Sequence, residues 1–360
     1  MKKIFMKKMF RVMLAFLFGT QAYAQKGQKD ELSVLFVGNS YTHMNEMPSI
    51  FDKICKSKGK TVHVEKNTRS GASFNVHTTR PDLFVAIKSR KWDCIVLQGY
   101  SRELSFSPDY IDTATMPYIN TIIDSIKANN PCTNILLQMT WGYKEGFQER
   151  EETNTYEAMS ELIADGYQYL SDSLQIPIVP VGKVWRKVRE SNPEIELYDA
   201  DKAHPSKNGS YLSACTFYAS IFKESPEGAM TSTISNAIAP IIQKAAGGFV
   251  LKSFERYRLS QNFHSITWSA TPQGEYVLKG VASFQNAISV NWDFGDGTTS
   301  TDKKVSHKYK RSGRYKVLLN VEDECGTREI MRKVKFTAPK KPTRKPKIKP
   351  TKGNKPKKKS

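Results

Sequence analysis

A serine stands directly after a strongly apolar run near the start of the chain. The run Val34–Val37 is followed by Gly38, Asn39 and Ser40. In an α/β fold, a tight turn after a buried strand presents a nucleophilic side chain at the carboxyl edge of the sheet. The same pattern also occurs in ordinary turns and at helix N-caps. Ser40 is therefore a candidate nucleophile that needs a base elsewhere in the chain.

The candidate base lies far downstream, in a loop that leads into a helical stretch. Asp201 precedes His204 by three residues. A carboxylate at this spacing can accept a hydrogen bond from Nδ1–H of the imidazole while Nε2 faces a hydroxyl group. Asp199 competes for this role, but the three-residue spacing favours Asp201. Alone, the pair could also be a surface loop with a helix cap; with Ser40 it forms a candidate Ser-His-Asp triad.

Short apolar runs alternate with longer amphipathic segments from Glu31 to about Gly248. This alternation predicts βαβ units, and hence a parallel sheet with helices on both faces. Because the carboxyl ends of parallel strands share one edge, functional side chains are expected to collect there. The predicted strands are Ser33–Val37, Thr61–Val64, Cys94–Gln98, Asn134–Met139 and Ile176–Val179. The predicted helices include Met47–Ser57, Ile111–Ala128, Tyr156–Leu170 and Gly209–Phe222.

Several motifs stand in the order found in a known enzyme family. They are Gly-Asn-Ser-Tyr-Thr around Ser40, Trp92-Asp93, Val96-Leu97-Gln98, Thr140-Trp141-Gly142, Pro180-Val181-Gly182 and His204-Pro205-Ser206. Residues 31–225 resemble the SGNH, or GDSL-like, hydrolases, in the variant with Gly-Asn-Ser in place of Gly-Asp-Ser. The resemblance implies a flavodoxin-like, three-layer α/β/α fold. It also implies that Ser40 is the acyl acceptor, His204 the general base and Asp201 its orienting carboxylate.

The resemblance further implies donors that stabilise negative charge on the reacting carbonyl. The family's second block supplies a glycine N–H, which maps onto Gly71. With the N–H of Ser40 this gives two donors, and loss of one such donor typically costs roughly 3 kcal/mol. The third block departs from the family, because Leu-Gln-Gly-Tyr-Ser stands where Gly-x-Asn-Asp is usual. Gln98 either supplies the missing amide or is a buried glutamine satisfied by backbone.

Two aromatic residues follow the fourth predicted strand at the same edge of the sheet, Trp141 and Tyr143. Their faces could stack on a sugar ring or an aromatic acyl group. Packing in the core, or bracing of the loop, is the alternative interpretation. Trp141 is therefore a candidate substrate-binding residue.

The sequence changes character after Gly248. From Ser265 to Phe336, short alternating segments are separated by Gly, Asp and Asn, which predicts a small β-sandwich. The run Asn-Trp-Asp-Phe-Gly-Asp-Gly-Thr from Asn291, and Ser-Gly-Arg-Tyr from Ser312, closely resemble the motifs of a PKD domain. The resemblance implies an immunoglobulin-like accessory domain of an extracellular protein, and it specifies no ligand.

Both ends of the chain differ from its middle. Residues 1–24 contain a basic region, the apolar run Val12–Phe18 and Ala-Tyr-Ala, which is the order of a secretory signal peptide. The run is shorter than the roughly 20 residues of a membrane-spanning helix, and no Cys stands at the expected cut to carry a lipid. We predict a signal peptide (1–24), a hydrolase-like domain (25–248), a linker (249–262), a PKD-like domain (263–338) and a disordered Lys/Pro-rich tail (339–360).

The net charge of +20 is concentrated at these two ends. Five basic residues lie in 1–24 and eleven in 340–360, where there is no acid, so about +4 remains for the rest of the chain. Basic residues at the termini, without interleaved stacking aromatics, argue against nucleic-acid binding. The tail is either merely solvated or a tether to an anionic envelope or polysaccharide. Salt should weaken the binding of such a tether.

The five cysteines are an odd and sparse set for a secreted chain of this length. A disulfide framework therefore does not hold the fold, although one bridge is possible. Cys94 and Cys132 lie in or beside predicted buried strands, where Cys behaves as a small hydrophobic residue. No His/Cys cluster has the spacing of a zinc site, so we expect no metal and no cofactor.

These patterns predict a secreted serine esterase that removes a small acyl group, such as acetyl, from a carbohydrate or glycoconjugate. A lipase or lysophospholipase is an alternative. The sequence shows no apolar lid-like insertion, which argues against it. A non-catalytic polysaccharide-binding or adhesion protein on a hydrolase scaffold is another, because the third-block Asn is missing.

Overall fold

The structure, a computed structural model, describes residues 31–231, 234–259, 265–270, 275–282, 287–323 and 325–337. The predicted signal peptide and Lys/Pro-rich tail lie outside the described residues. Within those ranges, no helix combines the length and the apolar character that a membrane crossing requires.

A parallel β-sheet forms the centre of the first domain. Its strands are β1 (Leu32–Gly38), β2 (Val62–Thr68), β3 (Cys94–Leu97), β4 (Asn134–Gln138) and β5 (Ile178–Val179), in the order β2–β1–β3–β4–β5. This is the flavodoxin-like order, which reverses between β1 and β3. Both faces of β1 are covered, so that Val34–Val37 is fully buried. The predicted α/β/α fold is confirmed.

Helices cover the two faces of this sheet. They are α1 (Ser40–His43), α2 (Met47–Ser57), α3 (Phe74–Thr78), α4 (Pro81–Lys88), α5 (Pro108–Ala114), α6 (Met116–Asn129), α7 (Tyr156–Leu174), α8 (Val181–Ser191), α9 (Lys207–Phe222) and α10 (Ala239–Val250). The predicted helix Ile111–Ala128 is in fact the pair α5 and α6, interrupted at Thr115. Pro117 explains the interruption, because proline lacks an N–H and fits the first turn of a helix better than its interior.

The segment after α10 packs on the first domain. The carbonyl of Tyr257 accepts a hydrogen bond from the N–H of Ile178 at 2.9 Å. Tyr257 and Leu259 are buried in the core of the α/β domain. This part of the predicted linker 249–262 is therefore part of the first domain, because its apolar side chains find partners there.

The described residues beyond Ser265 form antiparallel sheets. Their strands are β6 (Ser265–Ala270), β7 (Tyr276–Val281), β8 (Ser289–Asp293), β9 (Thr299–Ser300), β10 (Lys304–Tyr309), β11 (Gly313–Asp323) and β12 (Gly326–Phe336). The sheet orders are β10–β7–β6 and β12–β11–β8–β9. Trp292 and Phe294 are buried in their common core. The predicted all-β sandwich is confirmed.

A disulfide bond joins the two domains. Cys132 lies in the turn before β4, and Cys325 lies in the turn between β11 and β12, with their Cα atoms 5.5 Å apart. The prediction that Cys132 is a buried hydrophobic residue is wrong, because its partner comes from a different domain. Cys94 is buried and free in β3, as predicted. Since Cys132 precedes its strand, the disulfide lies at the amino edge of the sheet.

Candidate active site

Ser40, His204 and Asp201 meet at the carboxyl edge of the sheet. Ser40 is the first residue of α1, and its Oγ lies 2.8 Å from Nε2 of His204. On the other side of the ring, Nδ1 hydrogen-bonds to Oδ2 of Asp201. Oδ1 of Asp201 accepts the N–H groups of Ala203 at 3.0 Å and of His204 at 2.9 Å. One carboxylate therefore holds the loop and orients the imidazole.

The surroundings of Asp201 favour its ionised form. Burial opposes ionisation, but hydrogen bonds from the His204 side chain and from the N–H groups of Ala203 and His204 lower the pKa of Asp201 below its ordinary value. An ionised Asp201 selects the tautomer with the proton on Nδ1, which leaves the Nε2 lone pair for the Ser40 hydroxyl.

Asp199 braces the same loop without contacting the imidazole ring. Its carboxylate accepts the N–H of Ala200 at 2.9 Å, and its own N–H donates to the carbonyl of His204 at 2.8 Å. The structure therefore places Asp201, and not Asp199, against Nδ1.

Trp141 lies beneath the loop that carries His204. Its side chain is 1% exposed and stacks between Tyr41, at a centroid distance of 4.5 Å, and Trp185, at 4.0 Å. Its Nε1–H donates to the carbonyl of Ala203 at 3.2 Å. The assignment of Trp141 to substrate binding is wrong, because both faces of the indole are covered by other rings. Its contacts brace the base-bearing loop.

Asn45 connects the serine-bearing segment to the histidine-bearing loop. Its Nδ2 donates to the carbonyl of Pro205 at 2.9 Å and to Oγ of Ser210 at 3.0 Å. Its φ of 53° lies in the left-handed region, which Asn tolerates better than most residues. Sequence reasoning missed this residue, and no local pattern could have found it, because Pro205 lies 160 residues away.

Asn39 joins the loops that follow β1, β2 and β3. Its Nδ2 donates to the carbonyls of Ala72 at 3.1 Å and Gly99 at 2.9 Å, and its Oδ1 accepts the N–H of Tyr41 at 3.0 Å. A carboxylate has no N–H to donate to these carbonyls. The Gly-Asn-Ser form of the motif, with Asn in place of Asp, is the sequence signal that points to this role.

Gln98 is not a donor for the reacting carbonyl in this structure. Its side chain is fully buried, and Oε1 accepts the N–H of Asn39 at 3.0 Å and the hydroxyl of Thr42 at 2.8 Å. Its Nε2 donates to the carbonyl of Gly99. The assignment of Gln98 to the oxyanion site is corrected accordingly, because its polar atoms are used within the protein.

Gly71 lies in the turn after β2, with a φ of 70° in the region that favours glycine. The N–H of Arg69 fixes this turn to the end of β1 by donating to the carbonyl of Gly38 at 3.0 Å. Among the described residues, no acceptor is found for the N–H of Gly71 or of Ser40. Both backbone donors are thus free to bind a ligand oxygen.

Glu103 is a buried acid beside the site. Sequence reasoning missed this residue. Its carboxylate accepts the N–H of Phe74 at 3.1 Å and the N–H of Tyr100 at 2.7 Å, and so links the loops after β2 and β3. Burial raises the pKa of Glu103 to about 7, although these two hydrogen bonds partly oppose the shift. An acidic residue shortly after a buried strand is a weak signal for such a role.

We expect the stability conferred by Glu103 to depend on pH. Its folded-state pKa of about 7 exceeds the ordinary value of about 4.3, so this contribution is fully present below pH 4 and is lost as pH rises to 7. The free energy of unfolding of the wild type, relative to Glu103→Gln, should fall by up to about 3 kcal/mol across this window. Urea titrations at pH 4 and pH 7.5 measure the difference. The exposed Glu157→Gln is the control, and an identical pH response of both variants would contradict the expectation.

A separate cavity of about 500 Å³ lies at the opposite edge of the sheet. It is lined by residues at the amino ends of the strands, such as Leu32 and Asn134, and by Phe222 of α9. It includes no member of the triad, so the chemistry of Ser40 is not located there.

Comparisons with known proteins give matches for both domains. The PKD domain family matches residues 271–338. A DUF4886 family protein from Bacteroides uniformis superposes with a TM-score of 0.54 and 20% identity, over 61% of this chain and 95% of that protein. Axe2, an acetylxylan esterase from Geobacillus stearothermophilus, superposes with a TM-score of 0.38 and 14% identity, over 52% of this chain and 92% of the esterase.

A microbial collagenase from Vibrio alginolyticus is 54% identical over 39 residues, which are 11% of this chain and 5% of the collagenase. The chain thus spans a small fraction of that curated relative. The resemblances drawn from the sequence motifs are confirmed at the level of fold and domain type. The chain combines a domain with the α/β/α fold of the SGNH hydrolases and a PKD domain.

Proposed function

We propose that this protein is a secreted serine esterase that removes a small acyl group, such as acetyl, from a carbohydrate or glycoconjugate. The observation that carries the proposal is the 2.8 Å contact between Oγ of Ser40 and Nε2 of His204, with Asp201 on the other ring nitrogen. A base in this position activates a serine hydroxyl for attack on an ester carbonyl.

In the proposed reaction, Nε2 of His204 takes the proton of Ser40 as Oγ bonds to the carbonyl carbon. The N–H groups of Ser40 and Gly71 donate to the negatively charged oxygen that forms. His204 then returns the proton to the leaving alcohol, and an acyl-enzyme remains on Ser40. Water, deprotonated by His204, attacks this ester and releases the carboxylic acid and the free serine.

The carbohydrate part of the proposal is supported by two exposed aromatic rings after β3 and by the PKD domain. Phe106 and Tyr110 follow β3 and are 36% and 47% exposed, with ring centroids 4.4 Å apart. Exposed aromatic rings of this kind can stack on the apolar face of a sugar. The predicted signal peptide and the basic tail (340–360) support export and retention at an anionic surface.

A non-catalytic polysaccharide-binding protein is the second candidate, favoured by one observation. The side chain of Gln98 is used within the protein and supplies no third donor. If this alternative is correct, the three side chains keep the arrangement of a triad but the protein hydrolyses no ester.

A fluorophosphonate probe that reacts with activated serines separates these two functions. We expect the wild type to be labelled on Ser40, and Ser40→Ala to remain unlabelled, because the probe requires a serine oxygen deprotonated by a neighbouring base. Ser89→Ala removes a hydroxyl at the end of α4 and should be labelled as the wild type is. Mass spectrometry identifies the modified residue. Absence of label on both the wild type and Ser89→Ala would refute the esterase and favour the binding protein.

A further inference from the structure

Within the part of the chain that the structure describes, Arg102 is a cation without a carboxylate partner. It lies in the loop after β3, and its guanidinium carbon is 3.4 Å from the centroid of the Phe147 ring and 5.5 Å from that of Tyr100. No acidic side chain among the described residues lies within 4.0 Å of its nitrogens. Arg186, by contrast, pairs with both Glu161 and Glu190.

The hydrogen-bonding capacity of this guanidinium is largely unused. Its Nε is buried and has no acceptor among the described residues. One terminal nitrogen donates to the hydroxyl of Tyr100 at a long 3.4 Å. This hydrogen bond and the positive charge of Arg102 lower the pKa of Tyr100. The two aromatic rings therefore hold Arg102 in place without neutralising it.

Several hydroxyl groups lie between Arg102 and Tyr41, the residue that follows the nucleophile. Oγ of Ser101 lies 2.9 Å from the hydroxyl of Tyr143, and both lie near the hydroxyl of Tyr100. The hydroxyl of Tyr41 is buried beside Ser101 with no hydrogen-bond partner among the described residues. Tyr41 directly follows Ser40, and its ring contacts that of His204 at a centroid distance of 5.4 Å. Arg102 therefore lies at one side of a cluster of hydroxyl groups whose opposite side is formed by Tyr41, the neighbour of Ser40 in the chain.

We propose that Arg102 binds a carboxylate carried by the ester substrate, so that the enzyme prefers acidic esters to neutral ones. This inference rests on the proposed esterase function. The two terminal nitrogens of a planar guanidinium lie side by side, which suits bidentate recognition of a carboxylate, and among the described residues only one of them has a partner, at a long 3.4 Å. The carboxylate can belong to a uronic acid of the saccharide or to a dicarboxylic acyl group such as succinyl.

The experiment compares kcat/KM on matched acidic and neutral esters. One pair is acetylated glucuronoxylan and acetylated neutral xylan, and the other is the succinate and acetate monoesters of methylumbelliferone. The Arg102→Gln variant should lower kcat/KM on the acidic member about 10- to 100-fold more than on the neutral member, as expected for loss of a charge-assisted hydrogen bond. Added salt should reduce the wild-type preference.

The matched control is Arg90→Gln. Arg90 also lies over an aromatic ring, that of Trp92 at 5.8 Å, but it precedes β3 at the opposite edge of the sheet. It should retain the wild-type preference. Arg102→Lys keeps the positive charge but loses the planar guanidinium. It should retain part of the preference for acidic esters. This variant provides a second test if Arg102→Gln folds poorly.

The outcomes separate this inference from the function on which it rests. A preference in the xylan pair assigns the carboxylate to the saccharide, and one in the methylumbelliferone pair assigns it to the acyl group. Hydrolysis of neutral esters without acidic preference, or equal losses on both members in the Arg102 variants, would overturn the inference and leave the esterase standing. No hydrolysis of any ester by the wild type would overturn both.

Discussion

Replacement of Asp201 by Asn should lower kcat for ester hydrolysis by about 10⁴-fold, the loss typical of this substitution in a Ser-His-Asp triad. The Asn amide can place an N–H where Oδ2 now accepts from Nδ1 of His204. The imidazole would then carry its proton on Nε2, and it could not accept the proton of Ser40. Because Oδ1 can still accept the N–H groups of Ala203 and His204, the loop should keep its conformation. Steady-state kinetics on an aryl acetate measure the loss.

Asp199→Asn is the matched control for this prediction. Asp199 carries the same charge in the same loop, but its carboxylate contacts the N–H of Ala200 and not the imidazole. Its kcat should change by about threefold or less, as for a substitution away from the reacting groups. Thermal melting should show both variants folded. A silent Asp201→Asn with an inactive Asp199→Asn would reverse the assignment of the orienting carboxylate.

Replacement of Gly166 by Ala should lower the free energy of unfolding by roughly 4 kcal/mol, at the upper end of overpacking effects. Gly166 lies in α7, and a Cβ added there would overlap the backbone carbonyl oxygen of Leu104. That carbonyl belongs to the loop that also carries Arg102 and Glu103. The backbone cannot move aside as a flexible side chain can, so either the helix or the loop must shift. Urea unfolding measures the change.

Gly248→Ala provides the opposite expectation within a helix. Gly248 lies in α10, and no atom is found within 4 Å of the Cβ that alanine would add. The substitution should therefore stabilise the protein by about 0.5–1 kcal/mol, because alanine loses less backbone entropy in a helix. Destabilisation of similar size by both variants would show that the overlap with the Leu104 carbonyl is not the cause of the effect at Gly166.

The parts of the site that follow from local spacing could be predicted from the sequence. Asp201 and His204 are three residues apart, and Ser40 follows a buried strand. Parallel topology then places both segments at one edge of the sheet. Gln98 and Trp141 were placed at the correct edge, but their side chains point into the protein. The direction of a side chain at a strand end depends on what packs against it, which the sequence pattern does not specify.

The remaining features depend on partners that are distant along the chain. Asn45 reaches Pro205 across 160 residues, and Cys132 reaches Cys325 across 193. Glu103 is buried because loops after two different strands supply its hydrogen bonds. None of these contacts has a sequence period or a motif, so they become visible only when the elements are assembled.

The disulfide between Cys132 and Cys325 closes a covalent ring that contains just over half of the chain. Asp201 and His204 belong to this ring, whereas Ser40 belongs to the segment of the chain that precedes Cys132. A protease that cuts once between the domains, after Leu259, would open the ring without releasing a fragment. The PKD domain would remain attached to the α/β domain through the disulfide bond, and its release would require both a cut and a reductant.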